Sequence, residues 1–258
     1  MESERLTQLP VQGTSDGEKV RNSSPAVPRA GHAHHVNRRE GLAGRIESSR
    51  FKKSIALAAK STLDLILAAV GLMVTAPLWL LVAFAIRATG RGPILYRQRR
   101  WGRNGELFTL FKFRTMTSES DQRFGIRPAD VEDERVTRVG RLLRATGMDE
   151  LPQLLNILRG DMSLVGPRAL AVGEVLTDES GREFRYEDYP DFRARLAVRP
   201  GLTGLATIYL PKDAPPPLKL AYDLRYIEQQ SFLLDVKLIA MSIFISLRGR
   251  WETRERKL

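Results

Sequence analysis

Two adjacent carboxylates, Asp149 and Glu150, are the residues of this sequence best suited to catalysis. The chain contains no cysteine, and its three histidines, His32, His34 and His35, all lie near the N-terminus. These facts exclude a thiolate nucleophile, a serine–histidine triad and a three-histidine zinc site from the rest of the chain. A nucleophile or base beyond residue 35 must therefore be a carboxylate, a hydroxyl or an amine, and the carboxylate pair is the leading candidate.

The carboxylate pair is predicted to lie at the N-terminal end of a short helix over residues 151–159. Pro152 falls in its first turn, where proline is tolerated because the early N–H groups of a helix have no intrahelical partner. Gly160 ends this helix. Because helix N-termini attract anions, this point of the chain favours carboxylates and phosphate groups.

Basic residues around the pair are candidates for binding substrate phosphates. Two of them alternate along a predicted strand and share its face. Two more are three positions apart on the preceding helix and share one side of it. A fifth follows the Gly166–Pro167 turn. These five residues are Lys112, Arg114, Arg141, Arg144 and Arg168.

A carboxylate pair among many cations, without histidine or cysteine, favours phosphoryl transfer, which depends on positioning and charge neutralisation. An ionised Asp149 can attack phosphorus to give an aspartyl phosphate. Mg²⁺ prefers oxygen ligands and usually lies between carboxylates and substrate phosphates, so Asp149 is also the predicted metal ligand. The alternative is structural: Asp149 caps the helix and pairs with an arginine, while Glu150 is solvated.

Residues 65–86 form an uncharged apolar segment that is long enough for a bilayer core, which requires about 20 residues. Pro77 interrupts it near the middle, and basic clusters flank both of its ends. Since basic flanks stay on the cytoplasmic side, a straight span would carry one cluster across the membrane. The pattern favours a re-entrant helix broken at Pro77 over a straight span, and over a buried core helix.

The rest of the chain indicates one α/β domain, mainly helical, with a short β-hairpin around Asn104–Gly105. The end of a largely helical segment over 218–247 is either an amphipathic membrane-surface helix or ordinary core. The predicted organisation is a disordered tail over 1–50, a membrane anchor over 51–91, a cytoplasmic catalytic domain over 92–247 and a basic tail over 248–258.

The chain is strongly basic, with a formal net charge of +11 and a pI near 10.2. Nucleic acid, acidic lipid headgroups and phosphorylated substrates are the classes of partner that such a charge attracts. The arginines cluster beside the apolar segment, which is typical of an anionic membrane surface. A membrane, and no nucleic acid, is therefore the predicted partner.

Several motifs together resemble one protein family, the bacterial sugar transferases known as monotopic phosphoglycosyl transferases. The resemblance covers residues 60 to about 247. It rests on the apolar segment with Pro77 and on the stretches Lys112–Met116, Asp149–Asn156, Gly160–Arg168 and Arg199–Gly204.

The resemblance implies a re-entrant membrane helix broken at the proline, with the whole enzyme on the cytoplasmic face of the inner membrane. It also implies a Mg²⁺-dependent ping-pong reaction that begins the assembly of an exopolysaccharide or related glycan. Asp149 would attack the sugar-bearing phosphate of a UDP-sugar and release UMP, and undecaprenyl (polyprenyl) phosphate would then take the phosphosugar. Glu150 matches the partner carboxylate, and Arg144 matches an arginine five residues before the nucleophile.

The sequence departs from the family's pattern at three places. Gly147 stands where a serine is common, Ala169 replaces a proline, and residues 205–210 lack the frequent family residues. The sugar and the oligomeric state, a homodimer included, are therefore left open. A non-catalytic membrane scaffold or regulator of polysaccharide assembly is the alternative function.

Overall fold

The computed structural model describes residues 32–117, 133–177 and 183–251. The chain divides into two units, Met1–Phe51 and Lys52–Leu258, and the candidate site lies entirely in the second. The described part is mostly helical, as the sequence predicts, and it contains three short two-stranded sheets where the sequence predicts only one hairpin.

The first helix, α1, runs from His32 to Ala88 and includes the predicted anchor. Its stretch Leu57–Ala88 is long and apolar enough to cross a membrane. The helix continues through Pro77, so the predicted break is not confirmed, although Pro77 offers no N–H to the preceding turn. The predicted boundary at residue 50 falls inside α1, and residues 1–31 of the predicted tail lie outside the described residues.

Both halves of the apolar segment pack against the rest of the second unit. Ala68 belongs to the main core, and Val82 and Ile86 pack with Phe113 and Leu143. The opposite side of α1 leaves large apolar side chains exposed: Leu65, Ile66, Leu67, Val70, Met73, Val74, Leu80, Leu81 and Phe84. One side of the helix is therefore protein core, and the other has the composition of a lipid-facing surface.

The predicted hairpin is confirmed. Strands β1 (Leu95–Trp101) and β2 (Leu107–Phe113) pair antiparallel, and a single turn of 3-10 helix over Arg103–Gly105 joins them. Asn104 and Gly105 adopt φ values of 56° and 83°, which explains why these residue types occupy the turn. In this register Lys112 lies opposite Tyr96.

The remaining elements are helices and short strands, and the helix Gln153–Leu158 packs against β2. Helix α2 (Arg138–Thr146) follows an N-cap at Thr137, whose hydroxyl accepts a hydrogen bond from the Gly140 N–H. The largely helical segment predicted over 218–247 is confirmed as two helices separated at Gln230–Ser231. The elements in order are α2 (Arg138–Thr146), α3 (Gln153–Leu158), β3 (Ser163–Val165), β4 (Val175–Thr177), β5 (Glu183–Arg185), α4 (Phe192–Arg195), β6 (Gly201–Thr203), α5 (Leu205–Tyr209), α6 (Pro216–Gln229) and α7 (Phe232–Arg248).

Helix α7 contributes to the core, which is one of the two alternatives that its sequence leaves open, and it also exposes apolar side chains. Leu238 and Ile245 are fully buried in the main core, while Phe232, Leu233 and Leu247 are largely exposed. One face of α7 is therefore core, and the other is an apolar surface.

Candidate active site

The carboxylate pair lies in a tight turn between two helices. Gly147 ends α2 in the left-handed conformation, with φ of 72°, and a 3-10 turn over Met148–Glu150 follows at once. The Glu150 N–H donates to the Gly147 carbonyl at 3.1 Å, and Pro152 has the helical φ of −61° that leads into α3. The pair therefore directly precedes α3, close to the predicted position. Asp149 is 8% exposed, which is low for an aspartate.

Lys112 of β2 is the cation that contacts the pair. Its Nζ donates to Oε1 of Glu150 at 2.5 Å and lies 3.8 Å from Oδ2 of Asp149. Arg168 approaches from the other side, with Nη2 3.7 Å from the same Glu150 oxygen. The structure thus brings together two predicted carboxylates and two predicted cations from three separate parts of the chain.

These contacts govern the charge of Glu150. Burial on its own raises the pKa of this carboxyl. The charges of Lys112, Arg168 and Arg100, together with the Lys112 hydrogen bond, outweigh burial and lower the pKa to about 2. The Glu150 charge in turn raises the pKa of Arg168. Glu150 is therefore ionised throughout the physiological range and has no proton to donate there.

A cleft opens beside Glu150. Its polar lining is mainly cationic, because only Glu150 among the lining residues carries a negative charge. Arg168 remains half exposed at its mouth, where its guanidinium can meet an anionic ligand. The lining residues are Arg100, Leu110, Lys112, Glu150, Gln153, Arg168, Ala169, Gly201 and Leu202.

Arg100 and Gln153 line the cleft although the sequence analysis did not assign them to the site. Arg100 donates to the Ala169 carbonyl at 2.8 Å and to the side chain of Gln98, while its buried Nε has no hydrogen-bond partner among the described residues. Arg100 shares the site-facing side of the hairpin with Lys112, because Arg100 pairs with Phe108 and positions 108 and 112 lie on one face. The alternation of side chains along β1 would have identified Arg100 as a site residue if the pairing of β1 with β2 had been known.

The loop that carries Arg168 is held by close backbone contacts. Gly201 donates to the Pro167 carbonyl at 2.8 Å, and Gly166 donates to the Thr203 carbonyl at 2.9 Å. A Cβ atom on Gly201 would collide with the Gly166 backbone. The glycines of these motifs therefore allow the strands β3 and β6 to approach closely enough to place Arg168.

A buried ion pair supports the same loop from behind. Arg195 donates to Asp223 at 2.7 Å and to the backbone carbonyl of Arg168 at 2.5 Å. Both side chains are nearly inaccessible, so their alignment is set by the fold and not by solvent. Neither residue was singled out from the sequence, since their neighbourhood is created only by folding.

The other predicted phosphate-binding residues lie elsewhere. Arg114 is buried and donates to the carbonyls of Ile86, Gly90 and Arg91, so it holds the end of α1. Arg141 is exposed on α2. The pKa of Asp133 is lowered mainly by its hydrogen bond from Arg135, and the charge of Arg144 lowers it further, so Arg144 lies near that carboxyl. None of these three lines the cleft.

The departure at Gly147 has a physical reason in this fold. Its φ of 72° is a conformation that side chains rarely adopt, and Trp251 fills the space that a Cβ would need. A serine at this position would therefore require both a different backbone and a displaced indole.

The carboxylates of the site fit a metal ion that is coordinated partly by the protein and partly by the phosphates of a bound substrate. Among the described residues, no group of three or more His, Cys, Asp or Glu side chains could hold an ion. Asp149 contributes a carboxylate to the site, and Oε1 of the neighbouring Glu150 accepts the hydrogen bond from Lys112. Mg²⁺ commonly binds through one or two carboxylates together with substrate phosphates, and this arrangement fits that mode.

Glu150, held by Lys112 and Arg168, lines a mainly cationic cleft, and Asp149 precedes it in the same turn. The domain that carries this cleft packs against a long apolar helix, and the cleft suits an anionic ligand. Residues 55–249 match the family model described as bacterial sugar transferase. The chain belongs to the bacterial sugar transferase family and is a transferase.

Individual relatives agree with this assignment. An exopolysaccharide production protein PSS from Rhizobium leguminosarum bv. phaseoli is 38% identical over 200 residues, covering 75% of this chain and 98% of the relative. A UDP-glucose:undecaprenyl-phosphate glucose-1-phosphate transferase from Caulobacter vibrioides is 41% identical, covering 71% of this chain and 68% of the relative. An N-acetylgalactosaminephosphotransferase acting on undecaprenyl phosphate, from Aeromonas hydrophila, is 35% identical, covering 74% and 44%.

Proposed function

We propose that this protein transfers a sugar-1-phosphate from a UDP-sugar to undecaprenyl phosphate, releasing UMP, as the first step of exopolysaccharide assembly. The observation that carries the proposal is the carboxylate pair Asp149–Glu150, fixed by Lys112 and Arg168 beside a cationic cleft. The diphosphate and the lipid phosphate are both anionic, and the cleft offers them cations. The names of the similar proteins support this substrate class.

Asp149 is the proposed nucleophile. One of its carboxylate oxygens forms a bond to the sugar-bearing phosphorus, the bond from that phosphorus to the bridging oxygen breaks, and UMP leaves with that oxygen. An oxygen of the lipid phosphate then attacks the same phosphorus, and the aspartyl oxygen–phosphorus bond breaks. Lys112, 3.8 Å from Asp149, neutralises charge between the carboxylate and the incoming diphosphate.

Glu150 is proposed to orient the cations of the site. Because its pKa is lowered to about 2, Glu150 is a carboxylate at neutral pH and is not the proposed general acid. Its short hydrogen bond fixes the Lys112 ammonium, and its charge attracts Arg168 towards the cleft. Arg168 and Arg100 are proposed to bind the phosphates of the substrate, the former from its half-exposed position.

Asp149 is the proposed ligand for Mg²⁺, which when bound supplies positive charge to the substrate phosphates. The carboxylate of Asp149 is near enough to Lys112 that ammonium and metal would share the task of screening the diphosphate. Glu150 remains engaged with Lys112 in this arrangement.

The protein is proposed to be re-entrant, with its catalytic domain on the cytoplasmic face of the inner membrane. Asp64, just before the apolar segment, accepts hydrogen bonds from Ser163 and Leu164 of β3. At the other end of the segment, the Ile86 carbonyl accepts from Arg114. Attachment of both ends to one domain supports same-side topology, and the exposed apolar faces of α1 and α7 supply the membrane surface.

One assay tests the function and the covalent step. The purified protein is mixed with Mg²⁺ and a panel of UDP-sugars, first without and then with undecaprenyl phosphate, and UMP and protein mass are measured. We expect at most one UMP per active site without lipid, a mass gain of one sugar phosphate, and full turnover on lipid addition. Release of UMP only with lipid would leave Asp149 as a base for direct transfer. No UMP with any sugar would favour the scaffold alternative.

A further inference from the structure

The segment that follows α7 contacts the turn that carries Asp149. Gly249 ends α7 in the left-handed conformation, with φ of 62°, and the chain then turns back towards α2. The Trp251 N–H donates to the Ala145 carbonyl at 3.1 Å, and its indole Nε1 donates to the Ser246 hydroxyl at 2.8 Å. Trp251 is thereby fixed at both its backbone and its ring.

The indole of Trp251 lies directly against Gly147. A Cβ atom on Gly147 would be 2.8 Å from the indole Nε1 and 2.9 Å from its Cδ1, closer than real Cβ contacts allow. The Gly147 carbonyl accepts the N–H of Glu150 and so begins the 3-10 turn of the carboxylate pair. The residue that the ring contacts is therefore the residue on which that turn is built.

We propose that Trp251 is a positioning residue for Asp149: its indole, packed on Gly147, fixes the start of the 3-10 turn and so the direction of the nucleophilic carboxylate. The inference rests on the proposed function of Asp149. Trp251 lies beyond the residues that match the family model, which end at 249. Lys112 of β2 also contacts the pair, so the turn is held both by β2 and by the segment after α7.

The packing of Trp251 on position 147 requires glycine there for two reasons that can be tested separately. One is the positive φ, which any side chain strains. The other is the space taken by the indole. Gly173 separates them, because its φ of 71° is nearly the same while, its chain neighbours aside, no described residue has an atom within 4 Å of its Cβ position. Gly173→Ala is therefore a matched control for backbone strain without a collision.

The test combines kinetics with hydrogen exchange on the full-length protein in detergent. Trp251→Ala, Trp251→Phe, Gly147→Ala, Gly173→Ala and the double variant Gly147→Ala/Trp251→Ala are compared with wild type. UMP release gives kcat and KM, and deuterium uptake is followed in the peptide containing Met148–Leu151. Exchange reports on the turn directly and does not depend on activity.

We expect Trp251→Ala to lower kcat about tenfold, since a small displacement of a reacting group is costly, and to leave KM within about twofold. Deuterium uptake over Met148–Leu151 should rise, and Trp251→Phe, which keeps a ring against Gly147, should restore most of both properties. Gly147→Ala should cost more activity in the wild-type background than in the Trp251→Ala background, because the collision is absent in the latter.

Two results would overturn the inference. One is wild-type kcat and exchange in Trp251→Ala. The other is a Gly147→Ala variant that behaves like Gly173→Ala and shows no coupling to Trp251. Failure of the proposed function is a different result: the wild-type protein then releases no UMP with any UDP-sugar, and the exchange comparison still decides whether Trp251 holds the turn.

Discussion

The carboxylate of Asp64 accepts a hydrogen bond from the hydroxyl of Ser163 at 2.7 Å, across 99 positions of sequence, and both side chains are buried. The other Asp64 oxygen accepts the Leu164 N–H at 3.1 Å. The carboxylate of Asp64, which directly precedes the apolar segment, therefore accepts hydrogen bonds from two residues of β3, the strand that leads to Arg168. The contact joins the anchor to the site-bearing loop.

Removing this acceptor should destabilise the protein. Asp64→Ala leaves the buried Leu164 N–H without its acceptor, at a cost of about 1–3 kcal/mol for such a group, while the Ser163 hydroxyl can still donate to the Val165 carbonyl at 3.0 Å. Thermal unfolding in detergent should show a lower midpoint. Asp64→Asn, which keeps one acceptor oxygen, is the control and should lose less. Equal midpoints for Asp64→Ala and wild type would show that the contact contributes nothing.

The topology can be measured with single cysteines, because the chain contains none. Arg50→Cys and Arg103→Cys mark the two sides of the apolar segment, and Arg103 is exposed next to the hairpin turn. We expect both to resist an impermeant thiol reagent in intact cells and to react after permeabilisation. Reaction of one site alone in intact cells would contradict the re-entrant arrangement and support a straight span.

Asp149→Asn should abolish turnover with the fold intact, because the amide keeps the size of the side chain but loses the attacking charge. Asp149→Glu should also fail, since an added methylene moves the carboxylate out of near-attack geometry. UMP release and a thermal midpoint are measured for each variant. Near-normal activity of Asp149→Asn would falsify the nucleophile assignment.

Arg168 and Arg141 form a matched pair of arginines that the sequence assigns alike and the structure places differently. Arg168 lines the cleft, whereas Arg141 is exposed on α2. Hydrogen bonds to charged groups contribute about 1.5–3 kcal/mol, so Arg168→Ala should lower kcat/KM for the UDP-sugar by roughly 10- to 100-fold. Arg141→Ala should change it less than about twofold. A similar decrease in kcat/KM in both variants would indicate that Arg141 also binds the substrate.

Glu150 should stabilise the fold in a pH-dependent way. Its pKa falls from 4.5 to about 2 on folding, so the folded state binds fewer protons than the unfolded state between these values. The stabilisation is complete above pH 4.5 and is lost as the pH falls towards 2. The difference in unfolding free energy between wild type and Glu150→Gln should therefore shrink over this window. A constant difference would argue against the ion pair with Lys112.

Local sequence was sufficient for several features because each depends on residue type and short spacing. The apolar segment follows from hydropathy, the hairpin turn at Asn104–Gly105 from positive φ, and the helix after Pro152 from the helical φ that proline adopts. The carboxylate pair was identified because cysteine and histidine are excluded from the body of the chain.

Tertiary structure decided which cations face the pair. A two-residue turn at Asn104–Gly105 would pair Lys112 with Arg97, but the actual turn has three residues and pairs Lys112 with Tyr96. A shift of one residue exchanges the faces of a strand, so Arg100 lines the cleft beside Lys112. Arg114 lies just past the end of β2 and instead donates to the Ile86 carbonyl of α1, 28 positions away. Alternation in sequence gives the side chains that share a face, but only the pairing of strands and the docking of α1 decide what that face contacts.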